Sequence, residues 1–331
     1  MIDQYDRKIE YIRVSVTDRC NLRCVYCMPE EGIEQVEHSQ ILTYDEIVRI
    51  CRMSAEEGVS KIKLTGGEPL VRKGLANLLS RLKEIPGIEE VTLTTNGVLL
   101  ADQIDDLVKA GLDAVNISVD TLNSAQYAEL TRRDELDRAL AGLEAALKYP
   151  NLRVKVNCVI LHGVNDEEWV PLAELAHSKR VDVRFIEMMP IGLGKSYHGS
   201  SQEAVLDKLK AVYGEPEPLS GKFGNGPAVY VGFPGFTGKI GFISAVSHKF
   251  CGDCNRVRLT AEGFLKACLQ YSTGQDLKTL MRDGIEDDKL KEVIKKVIFE
   301  KPRCHQFSGT EDNDTGSEDD LEQHEMSKIG G

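Results

Sequence analysis

Six short runs rich in β-branched residues alternate with helical stretches over the first 187 residues, and this alternation restricts the architecture more than any other feature. The runs are Tyr11–Thr17, Lys61–Thr65, Glu90–Thr95, Asp113–Val119, Leu152–Ile160 and Val181–Glu187. Between them, Tyr44–Glu57, Gly74–Ile85, Ala101–Ala110, Asp134–Lys148 and Glu167–Lys179 carry a helical period. Asn96-Gly97 and Gly111 punctuate element ends. Such alternation predicts an α/β fold, a parallel sheet with helices outside it. Six strands suit an incomplete barrel or a doubly wound sheet, and periodicity does not choose between them.

After about residue 215 the pattern changes. Gly221–Gly241 is rich in Gly, Pro and aromatics and reads as loops and hairpins. Lys239–Val246 and Arg256–Leu259 read as strands, and Asp287–Glu300 as a helix. We therefore expect residues 1–215 to form the main domain and 216–304 a smaller second one. Residues 305–325 should be a flexible acidic linker. Glu311, Asp312, Asp314, Glu318, Asp319, Asp320, Glu322 and Glu325 crowd this region, with no Lys or Arg. Residues 326–331 form a tail ending in Gly330-Gly331. Most of the formal net charge of -12 lies in the acidic stretch, so the rest is closer to neutral and has room for a cationic pocket. The acidity argues against nucleic-acid binding, which needs a basic face. No apolar run approaches a membrane span and the polar start lacks a secretory pattern, so a cytoplasmic protein is expected.

The chain has nine cysteines, and six of them cluster. In a reducing compartment, clustered thiols read as metal ligands rather than disulfides. Cys20, Cys24 and Cys27 follow the first strand with C-x3-C-x2-C spacing. Three thiolates on one loop can hold three corners of a cubane cluster and leave the fourth iron open. Zinc is the alternative, but it prefers four ligands and there is no nearby His. Cys251, Cys254 and Cys268 form the second set, which a zinc ribbon completed by His248 would also explain. Between these ligands, a strand would put Arg256 and Arg258 on one face. Paired guanidiniums suit phosphate oxygens. Cys51 and Cys158 read as small core residues, and Cys304 stands alone in the sequence. There is no Gly-x4-Gly-Lys-Ser/Thr loop, so a bound phosphate would rest on scattered Arg and Lys.

C-x3-C-x2-C after a first strand, with Tyr26 before the last Cys, resembles the radical S-adenosylmethionine (SAM) superfamily. Gly66-Gly67-Glu68-Pro69 after the second strand resembles that superfamily's Gly-Gly-Glu-Pro segment. Further matches narrow the resemblance to the MoaA family, the GTP 3',8-cyclases of molybdenum cofactor biosynthesis. They are Arg13 to Cys20 (RVSVTDRC), Cys27 to Pro29 (CMP), Leu93 to Gly97 (LTTNG), Asn116 to Asp120 (NISVD), Arg184 to Met189 (RFIEMM), the second cysteine set and the terminal Gly330-Gly331. They span about residues 9–304 and the last six residues.

The resemblance implies an incomplete (βα)6 barrel with a smaller C-terminal α+β domain, and two [4Fe-4S] clusters. Cys20, Cys24 and Cys27 would hold the cluster that cleaves SAM, and Cys251, Cys254 and Cys268 an auxiliary cluster whose open iron faces the guanine. Tyr26, Gly67, Ser118 and Met189 would line SAM. Arg13, Lys63, Thr94, Lys155, Arg256 and Arg258 would contact GTP. Gly330 and Gly331, with Arg256 and Arg258, would serve catalysis. A 5'-deoxyadenosyl radical would remove hydrogen from the ribose 3' carbon of GTP, and the new carbon radical would attack carbon 8 of the guanine. Lys63 departs from the family's common Arg, keeping the charge but losing the fork of donors. The acidic insert before the tail is a second departure, read as a tether. The resemblance implies an electron donor, which it leaves unnamed, and leaves open a partner enzyme for the next step and a homodimer. Two other readings fit parts of the pattern: a radical SAM peptide maturase with an auxiliary cluster, and a non-enzymatic zinc- or iron-binding module.

Overall fold

The computed structural model describes residues 1–33, 36–221, 223–307 and 321–329. Gly330, Gly331 and most of the expected linker lie outside these residues.

Among the described residues twelve strands form one sheet. They are β1 (Tyr11–Ser15), β2 (Lys61–Thr65), β3 (Glu90–Thr95), β4 (Ala114–Ser118), β5 (Arg153–Ile160), β6 (Asp182–Glu187), β7 (Glu217–Leu219), β8 (Val229–Gly232), β9 (Ile240–Ile243), β10 (Arg256–Leu259), β11 (Phe264–Lys266) and β12 (Gly274–Asp276). Strands β1 to β6 pair in parallel and in chain order. That order has no reversal point, so the doubly wound alternative is excluded and the sheet is an open barrel. The strands from residues 216–304 join this sheet at both ends. β9 pairs in parallel with β6 and leads out to β8 and β7. β10 pairs in parallel with β1 and leads out to β11 and β12.

The two faces of the sheet differ in chemistry. Ile12, Val14, Ile62, Leu64, Val91, Leu93, Val115, Ile117, Val154, Val156, Val183 and Phe185 are buried in the apolar core. The residues between them are largely polar and line an interior cavity. An ordinary barrel interior is filled by branched apolar side chains; here Arg, Lys, Thr and Asn stand in their place, so a cavity remains. The outer helices begin with local signals. Helix Tyr44–Glu56 starts at a capping box in which Thr43 Oγ1 accepts the Glu46 N–H at 3.1 Å and Glu46 accepts the Thr43 N–H at 2.7 Å. No helix among the described residues is long and apolar enough to cross a membrane.

Candidate active site

The cavity has a volume of about 300 Å³. Its rim is built at the C-terminal ends of the parallel strands, where α/β barrels place chemistry. Cys20, Cys24 and Cys27 follow β1 and line it together, with Gly66, Gly67 and Glu68 after β2 and Asn96 after β3. Ser118 and Asp120 at the end of β4, and Met188 and Met189 after β6, complete this end.

The two glycines after β2 are fixed by close approach. A Cβ on Gly67 would stand 2.5 Å from the carbonyl oxygens of both Asp18 and Arg19, and one on Gly66 would strike the Thr17 carbonyl. That proximity lets Gly67 N–H donate to Thr17 O and Glu68 N–H to Arg19 O, each at 2.8 Å, so the β2 loop clasps the cysteine loop. Glu68 turns inward and accepts from Thr95 Oγ1 and Asn96 N–H, both at 2.7 Å, and from Leu70 N–H at 3.0 Å. Burial nevertheless raises its carboxyl to about 7. Tyr26 donates its hydroxyl to Asp120 Oδ2 at 2.5 Å, and Asp120 Oδ1 accepts the Val159 N–H at 2.8 Å. Burial raises the Asp120 carboxyl to about 6.

The first three thiols share one environment. Burial pushes Cys20 to about 11 and Cys27 to about 12, and Cys24 rises well above its ordinary value, with mutual repulsion adding at Cys24 and Cys27. N–H donors face them: Leu22 N–H reaches Cys20 Sγ at 3.4 Å and Asn96 Nδ2 at 3.9 Å. None of the nine cysteines forms a disulfide. Among the described residues no three His, Cys, Asp or Glu side chains close around a single point as one bare metal ion would need. A cubane spreads its thiolates over different irons.

Deeper in the barrel stand the cations. Strand register puts Arg258 beside Arg13 and Arg13 beside Lys63, with Asn116 beside Lys155 and Asn157 beside Arg184. Arg13, Lys63, Lys155, Arg184, Arg256 and Arg258 all line the cavity. Burial lowers the pKa of Lys63 well below its usual value, and Arg184, Arg13, Lys155 and Arg256 lower it further. Burial and the same kind of repulsion lower Arg258, and hold Lys155 at about 8. Lys155 is not solvated: it is 4% exposed, donates to Tyr230 Oη at 2.8 Å and to the Phe223 carbonyl, and lies 3.5 Å from Asp182.

The second cysteine set sits against the β1 edge. Cys251 lies in a short turn, Cys254 just before β10 and Cys268 just after β11. Burial raises Cys251, with Cys268, Cys254 and Cys304 adding to it, so Cys304, isolated in the sequence, joins this neighbourhood in space. At Cys254 burial works upward, but Lys301 and Arg256 outweigh it and bring the thiol down to about 6. Lys301 is 2% exposed and donates to Arg256 O at 2.9 Å and to the Ala267 carbonyl, tying the two cysteine-bearing segments together. Arg7 braces the same region, donating to the carbonyls of Cys251 and Arg303, both at 2.8 Å, and of Pro302 at 2.7 Å. His248, the fourth ligand of the zinc alternative, is exposed and faces Ser247 and Glu203.

The structure thus gathers Tyr26, Gly67, Ser118, Met189, Arg13, Lys63, Thr94, Lys155, Arg256 and Arg258 around one cavity. Gly330 and Gly331 lie outside the described residues. Sequence reasoning did not single out Arg184, Asn157, Asn116, Arg153, Glu68 or Asp120 as individual site residues, although they also line the cavity. The available signal was polarity at inward positions of otherwise apolar strands, as at Arg184 and Asn157.

An open parallel barrel with three cysteines after its first strand defines a radical SAM protein, and the Radical SAM superfamily profile matches residues 14–176. The profile described as Molybdenum Cofactor Synthesis C matches residues 181–307. The chain is 47% identical over 310 residues to a GTP 3',8-cyclase of Clostridium perfringens, covering 93% of this chain and 95% of the relative. It is 43% identical to a GTP 3',8-cyclase of Petrotoga mobilis across both full lengths. The chain belongs to the GTP 3',8-cyclase family. In fold it is similar to Streptococcus suis SuiB bound to S-adenosylmethionine, with a TM-score of 0.58 and 15% identity over 89% of this chain and 64% of that one.

Proposed function

We infer that this chain is a radical SAM GTP 3',8-cyclase, a lyase that converts GTP to (8S)-3',8-cyclo-7,8-dihydroguanosine 5'-triphosphate in the first step of molybdenum cofactor biosynthesis. It works with two [4Fe-4S] clusters and S-adenosyl-L-methionine. The observation that carries this reading is the cation cluster of Arg13, Lys63, Lys155, Arg184, Arg256 and Arg258 in the same cavity as the first cysteine triad.

The residues suit the groups they would hold. Buried thiols that oppose one another's ionisation, with N–H donors aimed at them, suit a cluster whose iron charge deprotonates them. We assign Cys20, Cys24 and Cys27 to the first cluster and Cys251, Cys254 and Cys268 to the second. When bound, the reduced first cluster and SAM supply the radical that removes the ribose hydrogen. Tyr26, Gly67, Ser118 and Met189 hold SAM, with Gly67 at the rim where the β2 loop clasps the cysteine loop. Arg13, Lys63, Thr94, Lys155, Arg256 and Arg258 bind GTP. The cations depress one another, so a triphosphate relieves repulsion as it enters and is drawn to the cluster's centre. Arg256 and Arg258 project from one face of β10 and join the second cluster's strand to the substrate. Met188, Met189, Ile191 and Leu269 give the cavity an apolar wall that keeps water from the radical.

In this reading residues 1–215 generate the radical, 216–304 carry the second cluster, 305–325 form the tether, whose last residues Leu321–Glu325 pack against the body, and 326–331 deliver Gly330 and Gly331 to catalysis. The enzyme is cytoplasmic and draws on an external electron donor, and its product passes to a partner enzyme. The deciding experiment is anaerobic incubation of reconstituted protein with SAM, dithionite and GTP, followed by product analysis. Cyclised nucleotide should form from GTP. Arg256→Ala and Arg258→Ala should each weaken GTP binding while SAM cleavage persists. Unchanged GTP binding in both variants, or equal competition by ATP, would refute the assignment of these arginines.

A further inference from the structure

Residues 321–329 lie against the body of the protein. Leu321 forms a bridge with Tyr271, and Glu322 N–H donates to Gln270 O at 2.7 Å. The Glu322 side chain, 3% exposed, forms an ion pair with Lys266 on β11, itself 2% exposed. Glu322 is the one carboxylate paired with Lys266 among the described residues. Its other oxygen accepts from His324 N–H at 2.9 Å and pairs with His324 Nδ1 at 2.7 Å. Glu325 then accepts the Leu193 N–H at 2.8 Å, and Ser327 and Ile329 are buried. Met326 and Ser327 line the cavity, with the Ser327 N–H against the Cys27 thiol. The segment therefore crosses from beside Cys268 to beside Cys27, spanning the two cysteine sites.

We propose that the Lys266–Glu322 ion pair is the latch that positions this C-terminal strap across the cavity, making Lys266 and Glu322 positioning residues for the reaction. A surface pair would hold a strap weakly, but this one is buried on both sides. Removing one partner leaves the other charged and uncompensated in a dry site, which favours release of the strap. Removing both charges together, with apolar side chains of similar length, lets the strap dock again. The link from strap to reaction rests on the proposed function; the latch itself does not.

Lys328 is the sole Lys or Arg beyond Arg303, so trypsin reads the strap directly by excising residues 329–331. The test uses full-length, anaerobically reconstituted protein at matched iron content, with intact mass followed over time. Cleavage after Lys328 tracks the population of released strap, so Glu322→Gln and Lys266→Met should each be cut about tenfold faster than the parent or more. The double variant Lys266→Met with Glu322→Leu should be cut more slowly than either single variant. Glu322→Gln leaves every residue of the two cysteine-bearing segments in place, so it reports even where Lys266→Met fails to assemble. Cyclised nucleotide from Glu322→Gln should fall in step with strap release, with SAM cleavage retained. Cleavage of Glu322→Gln at the parent rate overturns the latch, as does a double variant no slower than the singles. A released strap with parental product yield overturns the positioning role. A parent that makes no cyclised nucleotide would sink the proposed function, while the cleavage comparison would still decide the latch.

Discussion

Gly67→Ala tests how tightly the β2 loop clasps the cysteine loop. The added methyl would meet two backbone oxygens at 2.5 Å, and neither can rotate away as a side chain would. Relief to ordinary contact needs a retreat of roughly 1 Å, an overpacking cost of about 1–3 kcal/mol. The same retreat breaks the two 2.8 Å bonds from Gly67 and Glu68 to Thr17 and Arg19, at about 0.5–1.5 kcal/mol each. Alanine returns about 0.4–1 kcal/mol by stiffening the unfolded chain, leaving a net loss of about 3 kcal/mol. A chain of 331 residues unfolds with about 0.7 kcal/mol/K, so Tm should drop by about 4 °C. Gly226→Ala is the control, since Gly226 lines the same cavity and its Cβ would meet nothing within 4 Å. Differential scanning of both apo-proteins, iron content after reconstitution, and SAM titration by calorimetry make the comparison. Gly67→Ala should melt lower, hold less iron on the first cluster and bind SAM poorly, with Gly226→Ala near the parent. If the two variants melt together and bind SAM alike, the clasp is not what forbids a side chain at Gly67.

Lys301→Met removes a buried ammonium and strands the carbonyls of Arg256 and Ala267; the second cluster should assemble less completely, with a more negative midpoint potential by electron paramagnetic resonance titration, while the first cluster's signal stays put. Burial holds Glu68 at about 7 instead of 4.5, so between those values the folded apo-protein keeps a proton that the unfolded chain has lost; stability should decline as pH rises from 4.5 to 7, and Glu68→Gln should flatten that part of the Tm–pH curve. Deleting Gly330 and Gly331 should leave both clusters, SAM binding and GTP binding intact and stop cyclisation; normal product yield at matched iron would make the terminus dispensable.

The parallel strands were legible because each carries two signals at once. In β3, Val91 and Leu93 are buried in the core while Thr92 and Thr94 face the cavity, and a period of two survives even with an interior that is polar. The first cysteine spacing was legible because Cys20, Cys24 and Cys27 fall within one short loop. What stayed hidden depends on contacts between distant segments. Nothing in the run around Arg256 says that it will lie beside Tyr11, or that Lys301 will bridge the segments bearing Cys254 and Cys268. Asp120 gave no warning that it would receive the Tyr26 hydroxyl. Helices Ser124–Thr131 and Gln202–Tyr213 passed unread; the first is short, with three buried positions, and the second buries only Val205 and Leu209. Their end signals, Asn123 accepting from Gln126 N–H and Ser201 from Ala204 N–H, were available.

Because β10 docks on β1 and β9 on β6, both borders of the six-stranded barrel are finished by chain made last. Arg7 and Cys251, joined in the structure, are 244 residues apart. At about 5–20 residues per second, a ribosome leaves the β1 border bare for roughly 10–50 s. Bare strand borders recruit other chains, and pairings this remote form slowly. Production of this protein is therefore most exposed to aggregation during synthesis. A chain stopped at residue 215 would keep both borders open permanently, and co-expressed chaperones should raise the yield of full-length protein more than any change to its finished surface.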